Sequence, residues 1–294
     1  MFASSERPAV RREVPGSPGP LALLQEAIRE VTTRRRLIGY LVAADMKKRG
    51  SDTILGNLWW ILDPILQMAV YLVFIEIISH KSTPDYPLFI FAAIVPWKWY
   101  SAVVTDAMNA VISQEKLIKQ IAFPKLVLPI AMTNAGVVGF AWGLVPLLAI
   151  ALLSSNRLSI HLLWVPVIAG VQYVFTLASA ILISAANVFF RDLGNAIGHA
   201  LRLWWFLSPG LYAISSLRET QFMQEHPIIS FLAGWNPFAV LFEAYHAVFY
   251  GTPTGAPQAP DVFSLVALLL GSGAFLALCV VFFKRVEPDF AKVL

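Results

Sequence analysis

The sequence predicts an all-α integral membrane protein, and three observations carry that prediction. Hydrophobic residues occupy 57% of the 294 positions and charged residues only 14%, with a mean hydropathy of +0.67, outside the range of an ordinary soluble domain. Six runs are apolar and long enough to cross a bilayer, which takes about 20 residues. The Lys and Arg residues gather beside those runs at alternate ends, as cytoplasmic loops require.

The first element, residues 1–20, is polar, with Arg7, Arg11 and Arg12 ahead of a Pro/Gly-rich run, and lacks the apolar core of a signal peptide. It is expected to be a mobile cytoplasmic tail. Residues 21–50 set Leu24, Ala27, Ile28, Val31, Leu37, Leu41 and Ala44 at helical spacing beside Arg29, Arg34, Arg35, Arg36 and Lys47. This pattern predicts an amphipathic interface helix with Gly39 as its weak point, serving to anchor the chain to anionic headgroups or to dock a cytoplasmic partner.

Residues 51–294 are expected to form one six-span domain, with spans at 57–78, 88–112, 126–153, 161–188, 197–217 and 262–283. Lys98 is taken as lying near the outer end of the second span, with Asp106 inside it. A further apolar run, 228–250, is broken by Gly234 and Asn236-Pro237 and carries Glu243 and His246. Those features suit re-entrant outer helices between spans five and six rather than a seventh span. With six spans and both termini inside, 18 of the 22 Lys and Arg residues are cytoplasmic, leaving Lys81, Lys98, Arg157 and Arg218 outside. A seventh span would carry Lys284, Arg285 and Lys292 outward as well, against the usual bias.

Catalytic motifs are absent from the sequence. It has no G-x-x-x-x-G-K-[ST] loop for nucleotide phosphates, no H-E-x-x-H and no G-x-S-x-G elbow. The single cysteine, Cys279, excludes an internal disulfide or cysteine cluster. His80, His161, His199, His226 and His246 are scattered singly and are read as interfacial or hydrogen-bonded. A net charge of +4 does not point to nucleic acid, because the basic residues flank apolar spans instead of covering one folded face.

Ionisable residues within spans are functional candidates by default. Asp63 precedes the kinking Pro64, Glu76 sits near the outer interface, and Asp106 either contacts substrate or hydrogen-bonds a Ser, Thr or Asn. These are too few for a proton relay. Transport would then need a separate ATPase docked on the cytoplasmic loops, with ATP and magnesium held by that partner and no cofactor by this chain. Nine Trp, eight Tyr and twenty Phe include Trp59, Trp60, Trp97, Trp99, Tyr100, Trp204 and Trp205. They serve as interface anchors, or line a path where flat rings stack on sugar faces.

Four motifs then carry a family likeness: DMKKRGSDTILGNLWWILDPILQMAVYLVF from Asp45; IVPWKWY from Ile94; LIKQIAFPKLVLP from Leu117; and NVFFRDLG from Asn187, followed by Leu207-Ser208-Pro209 and Trp235-Asn236-Pro237. In that order the chain resembles the membrane (permease) subunit of type-2 ABC exporters, in the group that moves lipid-linked polysaccharides such as O-antigens and teichoic acids. It departs from the family at Lys48-Arg49-Gly50-Ser51, where an Arg-Tyr pair is common.

The resemblance implies a homodimer in the bacterial inner membrane with two copies of an ABC ATPase beneath it, carrying a lipid-linked glycan. It implies that residues 113–119 form a coupling helix presenting Gln114, Glu115, Lys116 and Lys119 to the ATPase, stiffened by Phe123 and Pro124. Arg191 and Asp192 would make a second cytoplasmic contact, the alternative being a local ion pair that caps the next helix. Trp235, Asn236, Pro237 and Glu243 would belong to an outer gate. Alternatives are an exporter of drugs or small amphiphiles, a non-transporting membrane scaffold and a membrane-embedded glycosyltransferase, the last disfavoured by the lack of a cytoplasmic acid cluster.

Overall fold

The computed structural model describes residues 18–50, 54–79, 85–120, 123–154, 158–190, 192–212, 224–226, 233–251 and 256–293, and among them the regular structure is helical, without strands. Helices α1 (Pro20–Thr33) and α2 (Arg35–Gly50) lead into α3 (Trp59–Ser79), α4 (Tyr86–Ala110) and the short α5 (Glu115–Gln120). There follow α6 (Val127–Leu153), α7 (Val165–Phe189), α8 (Leu193–Leu207), α9 (Pro237–Phe249), α10 (Val262–Val286) and α11 (Phe290–Val293).

Four stretches, Tyr86–Gln114, Val127–Leu153, Ile160–Phe189 and Val262–Val293, are long and apolar enough to cross a membrane. They coincide within a few residues with four of the expected spans, apart from the helical extension beyond 283. The first expected span corresponds to α3, apolar over Trp59–Ile75 and containing Pro64.

The fifth expected span, 197–217, is met only in part among the described residues. Its helix starts at Leu193 and stops at Leu207, and its 15 residues reach only roughly 22 Å against a hydrocarbon core of about 30 Å. Pro209 is the reason: it disfavours helical geometry in the residue before it, and Ser208 is extended at φ −98°, ψ 143°. Positions 213–217 lie outside the described residues, as do parts of the proposed re-entrant segment at 227–232.

The interface helix breaks at Arg34 and not at Gly39, which lies within α2. Val31, Thr32 and Thr33 are β-branched and helix-averse, and the Thr32 hydroxyl donates to the carbonyls of Ile28 and Arg29 at 2.9 and 3.0 Å. The break lets α1 lie on α10 while α2 lies on α6. Leu23, Ala27 and Ile38 point inward, giving each half its own buried face. α1 begins at Pro20, and residues 1–17 of the expected tail lie outside the described set.

Helix α4 is the axis of the fold. From Leu88 to Val104 nearly every apolar side chain is buried against α3, α6, α7 and α9. In lipid, water expulsion adds little between helices, so van der Waals contact and polar ties must hold them. Gly136 of α6 permits one such approach, since a Cβ there would overlap Val103 of α4 and lie 3.0 Å from Trp99. Gln172 of α7 donates to the Pro96 carbonyl at 2.8 Å and accepts from the Tyr245 hydroxyl at 3.1 Å, fastening α4, α7 and α9 together. His246 is buried as a hydrogen-bonded residue, its Nε2 3.0 Å from the Phe89 carbonyl and its ring stacked on Phe89. Cys279 is buried on α10.

Candidate functional site

The charged island after α4 folds as a turn of 3-10 helix, Ile112–Gln114, followed by α5. Glu115 and Lys119 pair across one helical turn at 2.6 Å, and Lys116 is exposed beside them. Ile118 is buried on the opposite side and fixes the short helix to the body, while Gln114 is half-buried. Phe123 and Pro124, also half-buried, return the chain to α6.

Immediately after them the Lys125 main-chain N–H donates to Glu287 Oε1 at 2.7 Å. Lys284 Nζ meets Glu287 Oε2 at 3.0 Å, Glu30 Oε1 at 2.9 Å and Glu26 Oε1 at 3.0 Å. The turn beyond α5 is therefore braced to the end of α10 and, through Lys284, to α1. Burial holds the Glu30 carboxyl above the ordinary carboxylate value in spite of Lys284's opposing pull. Nothing in the local sequence links these residues, since Lys125 and Glu287 stand 162 positions apart and Glu30 and Lys284 stand 254 apart.

On the membrane side, α2, α3, α4 and α6 enclose a cavity of about 250 Å³. Its charged lining is two ion pairs. Arg49 at the end of α2 donates to Asp106 of α4 at 2.5 Å, and Lys98 of α4 donates to Asp63 of α3 at 2.6 Å. Lys98 thus stands near the middle of α4 rather than at its outer end, and Asp106 is held by a guanidinium instead of by Ser, Thr or Asn. Both corrections have one cause: a charge in an apolar run is stabilised by a charge on another helix, invisible to a reading of one helix at a time.

Trp59, Trp60 and Trp99 share the cavity wall with these pairs. Trp59 is half-exposed at the mouth, whereas Trp99 is buried and its Nε1 finds no acceptor among the described residues. The other conspicuous aromatics pack inside the chain. Trp97 lies 4.8 Å from Phe238 and 5.5 Å from Trp205, and Tyr100 stacks on Phe175 at 5.6 Å. Trp97, Tyr100 and Trp205 are core residues of this conformation, and Trp204 packs edge-on to Phe238 at 5.4 Å.

The segments Leu207-Ser208-Pro209 and Trp235-Asn236-Pro237 meet in space. Asn236 caps α9 by accepting from the Phe238 N–H at 3.1 Å, accepts from Trp204 Nε1 at 3.0 Å and donates to Ser208 Oγ at 2.8 Å. Pro237 occupies the first turn of α9, where its missing N–H costs nothing. Trp235 and Glu243 are exposed. Asp192 is exposed at the start of α8, with no side-chain cap hydrogen bond among the described residues; Arg191 lies outside them.

No family model matches the chain. It is similar to the O-antigen export system permease protein RfbA of Myxococcus xanthus, with 30% identity over 265 residues covering 90% of this chain and 98% of that protein. Two Klebsiella pneumoniae proteins with the same description are 27% identical over 222 residues and 25% identical over 203 residues. They cover 74% and 68% of this chain, and 86% and 78% of their own lengths.

Proposed function

The chain belongs to the family of O-antigen export permeases, and from that premise we propose that it carries a lipid-linked glycan of O-antigen type outward across the bacterial inner membrane. As a permease subunit it is a transport component and not itself an enzyme. Its ABC ATPase partner supplies the energy, binding ATP and magnesium while this chain binds no cofactor. Two copies of the chain pair side by side, each over one copy of the ATPase, because a single set of helices is too narrow to surround a glycan.

Six spans are assigned to α3, α4, α6, α7, α8 with the segment that follows it, and α10. Both termini then face the cytoplasm. The residues between α8 and α10 that include Trp235, Asn236, Pro237 and Glu243 serve as an outer gate. Gln114, Glu115, Lys116 and Lys119 contact the ATPase, Phe123 and Pro124 stiffen the return, and Arg191 with Asp192 makes the second contact.

The observation that carries this function is the brace behind α5. A short exposed helix bearing Glu115 and Lys116 transmits force only if its far end is fixed, and the bond from Lys125 to Glu287 fixes it to the last long helix. The test is reconstitution of the chain with its ATPase in lipid vesicles. ATP hydrolysis should rise when lipid-linked glycan is added, and replacing both Glu115 and Lys116 by Ala should abolish that rise and stop export. Hydrolysis indifferent to glycan but stimulated by small drugs would overturn the glycan assignment. Export untouched by the double substitution would overturn the coupling role.

A further inference from the structure

We propose that the elbow between α1 and α2 is a binding site for anionic phospholipid headgroups, held by Arg29, Arg34, Arg35 and Arg36. The site needs only the membrane placement of the chain and does not depend on the glycan assignment above. α1 stops at Thr33 and α2 starts at Arg35, with Arg34 as the joint, so four guanidinium groups fall within eight positions. All four residues are exposed. None has an ion pair or a side-chain hydrogen bond among the described residues.

The carboxylates nearest to these cations in the chain are engaged elsewhere. Glu26 and Glu30, one turn apart on α1, meet Lys284 of α10 at 3.0 and 2.9 Å. α1 is thus sorted by charge, its acids bonded to α10 and Arg29 left exposed beside them. What remains at the elbow is a cluster of positive charge with no counter-charge of its own, and its complement is an anion. Arginine suits phosphate in particular, because its planar fork of donors matches two phosphate oxygens at once.

Depth and apolar neighbours select a lipid as the source of that anion. Ile38, one turn into α2, is buried in the cluster that holds Ala110 and Val111 at the end of α4 and Leu126 and Val127 at the start of α6. Those positions are where two apolar stretches reach the loop between them, so the elbow sits at the rim of the apolar bundle, the depth of headgroups in a bilayer. In the topology proposed above, this is the cytoplasmic leaflet. Ile28, next to Arg29, is 65% exposed, and Tyr40, one turn beyond Arg36, is 73% exposed. A bilayer offers phosphates for the guanidinium groups and an acyl boundary for these two side chains in one place, while the arginine stems lie along the apolar surface.

The experiment titrates the detergent-solubilised full chain with phosphatidylglycerol carrying a fluorescent tail, and with phosphatidylcholine carrying the same tail as the zwitterionic reference. Wild type should bind phosphatidylglycerol at least about 10-fold more tightly, and the preference should shrink in 1 M salt, where charges are screened beyond about 3 Å. Arg35→Gln combined with Arg36→Gln should weaken phosphatidylglycerol binding by roughly 25-fold, about fivefold for each charge, and leave phosphatidylcholine binding unchanged. Lysine at both positions keeps the charge and should recover most of the affinity. Lys292→Gln removes an exposed cation already paired with Asp289 at 2.7 Å, and as the control should follow wild type.

Equal affinity of wild type for the two lipids would overturn the proposal, and so would a double glutamine variant that binds phosphatidylglycerol as wild type does. Displacement of the labelled lipid by millimolar inorganic phosphate would overturn it in favour of a site for soluble anions. A double glutamine variant that keeps its lipid preference but no longer co-purifies with the ATPase would assign the arginines to an acidic face of that partner instead.

Discussion

Glu287 accepts a hydrogen bond from the main-chain N–H of Lys125 at 2.7 Å and receives the Lys284 ammonium on its other oxygen at 3.0 Å. One carboxylate thus joins the turn beyond α5 to the foot of α10. It is 8% exposed, so its two charge-assisted bonds act where water competes little.

Glu287→Ala should lower the unfolding free energy by about 2–4 kcal/mol, since it strips a largely buried ammonium and a main-chain donor of their shared acceptor. Differential scanning fluorimetry of the detergent-solubilised protein checks the stability loss. If α5 has the coupling role proposed above, transport should fall further than stability, because its return turn loses its anchor. Glu287→Gln, which keeps an acceptor for the Lys125 N–H, should recover part of both.

Glu30 gives a pH dependence whose sign follows from its raised pKa. A carboxyl that binds its proton more readily in the folded state contributes stability below its unfolded value of 4.5, and that contribution is lost as pH rises through its higher folded value. Thermal midpoints of Glu30→Gln should therefore fall less steeply than wild type as pH is raised from 4.5 through the folded value. An unchanged slope would show that Glu30 does not titrate as its burial implies.

Asn236→Ala should cost about 2–3 kcal/mol, combining the loss of a helix cap, worth about 1 kcal/mol, with the stranding of Trp204 Nε1 and the loss of the bond donated to Ser208 Oγ, whose own hydroxyl still donates to the Trp204 carbonyl. Asn236→Asp keeps the acceptor for Phe238 and Trp204 but cannot donate to Ser208, and should fall between Ala and wild type. Comparing the three thermal midpoints checks the order.

Two neighbouring glycines on α6 should respond oppositely to alanine. Gly136→Ala drives a methyl into Val103 and should destabilise by about 1–3 kcal/mol. Gly139→Ala meets open space among the described residues and should be neutral or stabilising by up to about 1 kcal/mol, through lost freedom in the unfolded chain. Guanidinium-free thermal melts of the two variants give the comparison.

The sequence was informative wherever a signal is local. Apolar runs located the long helices to within a few residues apart from the tail of α10, and the interruption read at Asn236-Pro237 falls where α9 begins, because a capping side chain and a helix-starting proline are neighbours in the chain. It misled wherever a charge has a distant partner. Lys98 looked like a span boundary because Asp63 sits on another helix 35 residues away, and the brace at Glu287 left no local trace. The break at Arg34 was hidden by Gly39, a residue of weaker helix propensity whose neighbour Ile38 is buried and keeps α2 intact. Trp97, Tyr100 and Trp205 gave no hint of depth, since an aromatic ring suits an interface, a path or a core equally.

The brace also fixes an order of events during synthesis. Lys125 leaves the ribosome 162 residues before the carboxylate that will hold it, a delay of roughly 10–30 s at about 5–20 residues per second. Throughout that interval α5 hangs on a turn without its final anchor, and α1 waits longer still for Lys284. A chain cut short before position 287 would insert its earlier spans yet leave the turn after α5 without the carboxylate that braces it, so a residue beyond α10 decides how firmly a loop made much earlier is held.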